Sequence, residues 1–251
     1  MNKQILISVD REFGSGGRDI AHMLGEAFGI PVYHHNLLRK IGIHESYDLA
    51  EISESFDEAP RNPLLSRTVR GLTNSNSDSI ARKEFDLLQE LAAKGESFVI
   101  IGHCGESILK EFGVISFFIT ADKKMRVART MEQFHESEKK AKKRMQKFDK
   151  NRRDYHNHYA GHKWFDVRNY DLAINSSRLG VKPTARFLEG YVRLRLGLPQ
   201  PEGEKLARYR EEMHAPRQDS IPHTPVDTPD QPFLKETIVE NVRAEAEKID
   251  K

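Results

Sequence analysis

Cysteine is almost missing from this chain. Cys104 is the only one among 251 residues, which excludes an internal disulfide framework and any metal site built on several thiolates. No apolar run approaches the roughly 20 residues that cross a bilayer. The opening stretch MNKQILISVD runs into a strand without a signal-peptide core or cleavage site. The expectation is a cytoplasmic protein with no membrane partner. Neither sign of charge prevails: Lys and Arg number 40 against 38 Asp and Glu, a net charge of +2. That balance gives the whole surface no nucleic-acid footprint. What remains is a globular mix, 37% hydrophobic and 31% charged, long enough for one buried α/β domain with appendages.

Five short runs, ILISV (5–9), PVYH (31–34), FVIIG (98–102), ISFFI (115–119) and DLAIN (171–175), are continuous and apolar, as buried parallel strands are. Helical periodicity separates them over 18–28, 78–94, 122–135 and 182–196. Asp122 stands at an N-cap position, Gly95 and Gly197 act as stops, and Pro183 sits in a first turn. Residues 136–158 form a charged helix or a helical hairpin. Strands alternating with helices imply βαβ units and a parallel sheet covered on both faces. Residues 35–77 read as a polar insertion. The proline-rich stretch 199–232, with IPHTPVDTPDQP, reads as a disordered linker, and 233–251 as a terminal helix with a narrow apolar stripe.

The most informative stretch is SVDREFGSGGRDIAHML, residues 8–24. A strand enters a turn carrying Gly14, Gly16 and Gly17, and a helix leaves it. That arrangement aims backbone N–H groups and a helix N-terminus at an anion. The common phosphate-binding loop continues with lysine and then Ser or Thr; here Gly17, Arg18 and Asp19 follow Gly16. Arg18 offers a mobile cation with a bidentate fork, Ser15 adds a donor, and Arg11 flanks the turn. A tight turn without a ligand is the alternative. Further along, Ala121–Arg153 holds 13 Lys and Arg against 5 Asp and Glu. It is either a solvated charged face or a cationic cover for phosphates.

ISVDREFGSGGRDIA, FVIIGHCGESIL and KFDKNRRDYHNHYAGHKWFDVRNYDLAINSSRLG together resemble the signature stretches of the cytidylate kinase-like family, a branch of the P-loop nucleoside monophosphate kinases, over roughly residues 3–197. The loop form R-E-F-G-S-G-G-R is itself familiar in that branch. The resemblance implies a three-layer P-loop NTPase-like α/β fold with a five-stranded parallel sheet, a helical insertion on the acceptor side and a basic lid over 136–165. It implies ATP with Mg²⁺ as donor and a nucleoside monophosphate as acceptor.

On that reading Gly14, Ser15, Gly16, Gly17 and Arg18 hold the donor phosphates, with Arg11 and Arg144 in support. Arg18, Arg152 and Arg153 act on the transferring group, Lys147 stands behind them, and Asp149 and Asp154 orient the arginines. The register that normally supplies a hydroxyl to Mg²⁺ falls on Arg18, so phosphate oxygens, Ser15, Asp10 or water serve instead. Asp10, His34 and His103 belong to the acceptor side. His34 stands where the family places aspartate, and His103 where many members place arginine. His103 either contacts the acceptor phosphate or is a neutral ring capping the strand, and the two histidines with Asp10 are also a weak metal candidate. Tyr155, His156, His158, Tyr159 and Trp164 either stack a base or pack the return of the lid on the core. Asn175–Ser177 end a strand where adenine binds in open α/β sheets. Cys104 reads as a packing residue. A binding module without turnover is the second functional reading; RNA binding by the basic stretch and tail is a third, which the near-neutral total argues against.

Overall fold

The computed structural model describes residues 3–34 and 76–203, together with 207, 209 and 211. The insertion before residue 76, most of the linker and the terminal helix expected beyond it lie outside the described residues. Within the stretch expected to be a disordered linker, Gly203, Ala207, Tyr209 and Glu211 are helical, and buried Tyr209 donates to Glu189 Oε2 at 2.6 Å. Strands are β1 (Leu6–Arg11), β2 (Val32–Tyr33), β3 (Phe98–Ile101), β4 (Ile115–Thr120) and β5 (Leu172–Asn175). Helices are α1 (Gly17–Phe28), α2 (Asn76–Ala93), the short α3 (Gly105–Ile108), α4 (Lys123–Phe134), α5 (Glu138–Tyr159) and α6 (Val181–Leu196). Among the described residues no helix is long and apolar enough to cross a membrane.

All strands are parallel and run in the order β2-β3-β1-β4-β5. Ile7 of β1 lies opposite Val99 on one side and Ile115 on the other. Side chains of a strand alternate between faces, and both faces here are covered. Ile7 and Val9 pack with Phe117 and Ile119 against Ile20 and Leu24 of α1 and Leu188 and Val192 of α6. Leu6, Phe98 and Ile100 pack on the other face against Leu88 and Ala92 of α2. This double cover explains why the strands lack polar alternation.

Chain direction across the sheet reverses at β1: β3 lies on one side and β4 on the other. Ligands of open α/β sheets collect at such a switch point, outside the carboxyl ends of the strands. The glycine turn sits there.

Three local expectations change. Residues 138–159 are one helix of 22 residues, joined to α4 by a corner at His135 in the left-handed region. Asp122 precedes α4 but makes no side-chain cap; its carboxylate accepts from Asn175 Nδ2 at 2.9 Å. Asp171 stands just before β5, where its Oδ2 accepts from the Ser116 amide at 2.8 Å.

Phe117 is fully buried at the centre of the larger core. Phe117→Ala is expected to lower unfolding free energy by about 3–5 kcal/mol, measured by urea denaturation with an unchanged slope.

Candidate phosphate turn and flanking clefts

The turn between β1 and α1 is held from behind. Carbonyl oxygens of three consecutive residues accept from other elements, and that of the fourth opens the ladder of α1. Phe13 O accepts from Arg126 Nε at 2.7 Å, and Gly14 O and Ser15 O from Arg129 Nη1 at 3.4 and 3.0 Å. Ser176 Oγ also donates to Ser15 O at 2.6 Å, and Ile20 N–H to Gly16 O at 3.0 Å. A trans peptide points its N–H opposite its C=O, so these contacts turn the following amides away from the scaffold. The Ser15 amide returns to Glu12 O and the Gly17 amide to Ser15 Oγ. The Gly14 and Gly16 amides thus face the mouth, beside those of Arg18 and Asp19 that precede the helical ladder. Gly14 and Gly16 have φ of +75° and +77°, the alternation that makes a concave row of N–H groups for an anion. A Cβ at Gly16 would also lie 2.6 Å from Val181 Cγ2.

Arg126 fixes the base of this turn. Its Nη1 lies 2.8 Å from Glu12 Oε1, and its Nη2 pairs with Asp149 of α5. The other Asp149 oxygen accepts from the Phe13 amide at 2.7 Å, and Thr120 Oγ1 donates to Glu12. A guanidinium buried this deeply needs such partners. Sequence reading does not single out Arg126 or Arg129. Their spacing of three in KKMRVARTME puts both on the face of α4 that carries Val127 and Thr130, which is the available signal.

Two clefts flank β1. The larger, about 480 Å³, lies on the β4–β5 side between Glu12, Thr120, Arg126, Asn175 and the α5 residues Lys142 and Asp149. The smaller, about 30 Å³, lies on the β3 side and gathers Asp10, Arg11, His103, Arg152, His156 and Trp164 among its walls. Four expected site residues therefore meet: Asp10, Arg11, His103 and Arg152. Arg11 crosses in front of Gly102, where a Cβ would sit 2.5 Å from its Nη1. Arg152 Nη1 donates to Arg11 O at 3.2 Å, and its guanidinium lies 5.6 Å from the Phe13 ring centre. Asp10 is buried, with Oδ1 accepting from the Arg11 amide and Oδ2 from Trp164 Nε1, each at 2.8 Å.

Other expected residues lie apart. Arg144 is bidentate to Glu136 at 3.0 and 3.1 Å and stacks on Phe134 at 4.2 Å, bracing the corner between α4 and α5. Arg153 and Lys147 are exposed on α5. Asp149, expected to orient lid arginines, holds Arg126, and Asp154 pairs with Lys150 at 2.9 Å. His34 is buried at the end of β2, outside the walls of both clefts. His103, at φ 56°, has Nδ1 3.1 Å from buried Glu84. Asp10, His34 and His103 form no metal-ligating group among the described residues.

Behind His156, on the wall of the smaller cleft, lies a buried carboxylate. Glu106 Oε1 lies 2.8 Å from His156 Nε2. Burial depresses the His156 pKa, but the Glu106 bond and charge, the Asp10 charge and the His162 backbone outweigh it and hold it above its ordinary value. Burial, then the Glu106 and Asp10 charges, push the Cys104 thiol well up, so it stays protonated and inert, as a packing residue should. Trp164 is fully buried, edge-on to Phe118 at 5.4 Å; the aromatic return packs on the core.

The model of the cytidylate kinase-like family matches residues 6–178. No curated protein matches the chain. Among solved structures, an uncharacterized protein from Eubacterium ventriosum ATCC 27560 is 32% identical with a TM-score of 0.60, covering 75% of this chain and 98% of that one. Shikimate kinase from Acinetobacter baumannii, in complex with shikimate, is 14% identical with a TM-score of 0.42 over 77% and 94% of the two chains. An unliganded sugar kinase from Janibacter sp. HTCC2649 is 14% identical with a TM-score of 0.43 over 78% and 96%.

Arg126→Met strands Glu12 and Asp149 beside each other without their cation. The expected loss is about 3–5 kcal/mol of stability, read from urea midpoints. In the native wild type, Cys104 should resist a thiol-titrating disulfide reagent and react fully only after unfolding; rapid native reaction would contradict its burial.

Proposed function

Because this chain belongs to the cytidylate kinase-like family, we propose that it transfers a phosphoryl group from ATP to a nucleoside monophosphate. The observation that carries this reading is the amide-lined turn at the switch point of the sheet, beside a cleft of about 480 Å³ on the β4–β5 side. On the β3 side Asp10, Arg11, His103 and Arg152 gather around a gap of about 30 Å³, which must widen to admit an acceptor. Positioning and charge stabilisation do most of the catalysis.

The Gly14 and Gly16 amides, the first turn of α1 and Arg18 bind and orient the donor phosphates. Arg11 and Arg152, side by side at the smaller cleft, supply positive charge toward the acceptor, where His103 faces Glu84 instead. Arg153 closes from the exposed face of α5. Fully buried Ser15 has its hydroxyl on the Gly17 amide, and both Asp10 oxygens accept internal N–H groups. Those two side chains therefore fit wall-building better than metal binding, whereas the donor set of the turn fits a triphosphate. Magnesium, when bound with ATP, neutralises charge on the phosphate oxygens that carry it. Asn175, on the wall of the larger cleft, lies where an adenine would be held.

One observation favours a second reading, a nucleotide-binding regulatory module without turnover. The histidine at the arginine position is paired with a buried glutamate, and the acceptor cleft is narrow.

A coupled ADP-release assay across a panel of nucleoside monophosphates decides between them. Turnover with at least one acceptor is expected, with kcat reduced about 100-fold or more in Arg152→Ala. Saturable ATP binding with no turnover for any acceptor would establish the module; absence of ATP binding would defeat both.

A further inference from the structure

Glu106 and His162 converge on His156, a wall residue of the smaller cleft, and phosphoryl transfer as derived above uses none of the three. Glu106 stands in the first turn of α3, His156 near the end of α5, and His162 in the return that follows. One donor atom from each lies within 4.8 Å of the others. Glu106 Oε1 is 2.8 Å from His156 Nε2 and 3.6 Å from His162 Nε2, and the two imidazole rings meet edge-on at 4.8 Å.

We propose that these three side chains form a zinc-binding site that clamps the end of α5 and its return loop to α3. A buried histidine–glutamate pair would explain the shorter contact alone. It leaves unexplained why a second imidazole directs its Nε2 at the same carboxylate oxygen. It also leaves Glu106 Oε2, buried and without a hydrogen-bond partner among the described residues, a costly position for a carboxylate that an ion held by both oxygens would relieve.

The spacing suits the ion. Tetrahedral zinc with bonds near 2.0–2.2 Å sets its ligand atoms about 3.4 Å apart. The observed 2.8 and 3.6 Å from Glu106 lie on either side of that value, and all the donor atoms lie within 4.8 Å of one another, so modest side-chain rotations would bring the set to the ion. Two imidazoles and one carboxylate are a donor set for zinc and related transition ions; magnesium, which prefers oxygen alone, is disfavoured. The site is therefore chemically distinct from the phosphate turn.

An outer shell is present too. Asn169 Nδ2 lies 3.0 Å from His162 Nδ1. With zinc on Nε2, the ring carries its proton on Nδ1, and the Asn169 amide turns over to accept it through oxygen. His162 is partly exposed, its side chain at 26% against 1% for Glu106, which gives the ion a way in. The carboxylate of Asp10, close enough to act on His156, offsets the remaining positive charge.

The test is calorimetric titration of the full chain with zinc chloride after chelator treatment and dialysis. One zinc per chain is expected, with a rise in melting temperature, and cobalt in its place should give the intense visible bands of four-coordination. His162→Ala, at a partly exposed loop position, and the isosteric Glu106→Gln should each weaken binding at least tenfold, with circular dichroism confirming that both remain folded. Absence of saturable one-to-one binding to the wild type would overturn the proposal. So would zinc affinity unchanged in both variants, which would place the ion on other histidines. Because the readout is metal binding, its outcome is independent of whether the protein turns over nucleotides.

Discussion

The buried guanidinium of Arg126 is the contact on which the rest of the site depends. It joins three segments far apart in the chain: the Glu12–Phe13 start of the glycine turn, its own helix α4, and Asp149 in the middle of α5. A cation removed from water this completely is tolerable only with carboxylates on both sides, and those two carboxylates in turn hold Thr120 and the Phe13 amide. With Arg129 claiming the next carbonyls, the turn has its oxygens facing the scaffold. Its glycine amides consequently face outward. Anion binding is thus prepared by hydrogen bonds on the reverse side of the loop, which a ligand never touches.

The same network sets the stance of α5. Asp149 anchors the helix over the turn, Arg144 braces its start against Glu136 and Phe134, and the Glu106 cluster meets its end. Arg152 lies between the last two anchors, on the turn's side of the helix, and reaches the Arg11 carbonyl. The positive charge of α5 that faces the clefts is therefore a small selected part of a strongly basic segment.

Much of this was legible in the chain itself. The strands declared themselves because a doubly covered parallel sheet needs unbroken apolar runs, and the strand–glycine turn–helix unit because Gly14 and Gly16 occupy backbone conformations that favour glycine. The family resemblance over those stretches agrees with the matched residues 6–178. What stayed hidden were partners separated by long stretches of chain. A run such as KKMRVARTME does not reveal that Arg126 and Arg129 turn inward, because burial of an arginine is decided by carboxylates elsewhere. Arg144 resembles a phosphate ligand until Glu136, one corner away, is seen to hold it. His103 looks like a weakened arginine in sequence, yet Glu84 on α2 gives it a structural partner, while Arg11 from the adjacent strand brings a guanidinium to the same turn.

The central claim is that the outward amides of the glycine turn receive the donor phosphates. Amide-resolved nuclear magnetic resonance of the isotopically labelled protein, titrated with a non-hydrolysable ATP analogue, addresses it directly. The account predicts saturable shifts at the Gly14, Gly16, Arg18 and Asp19 amides, larger than those elsewhere. Saturable binding that leaves those four resonances in place would contradict it.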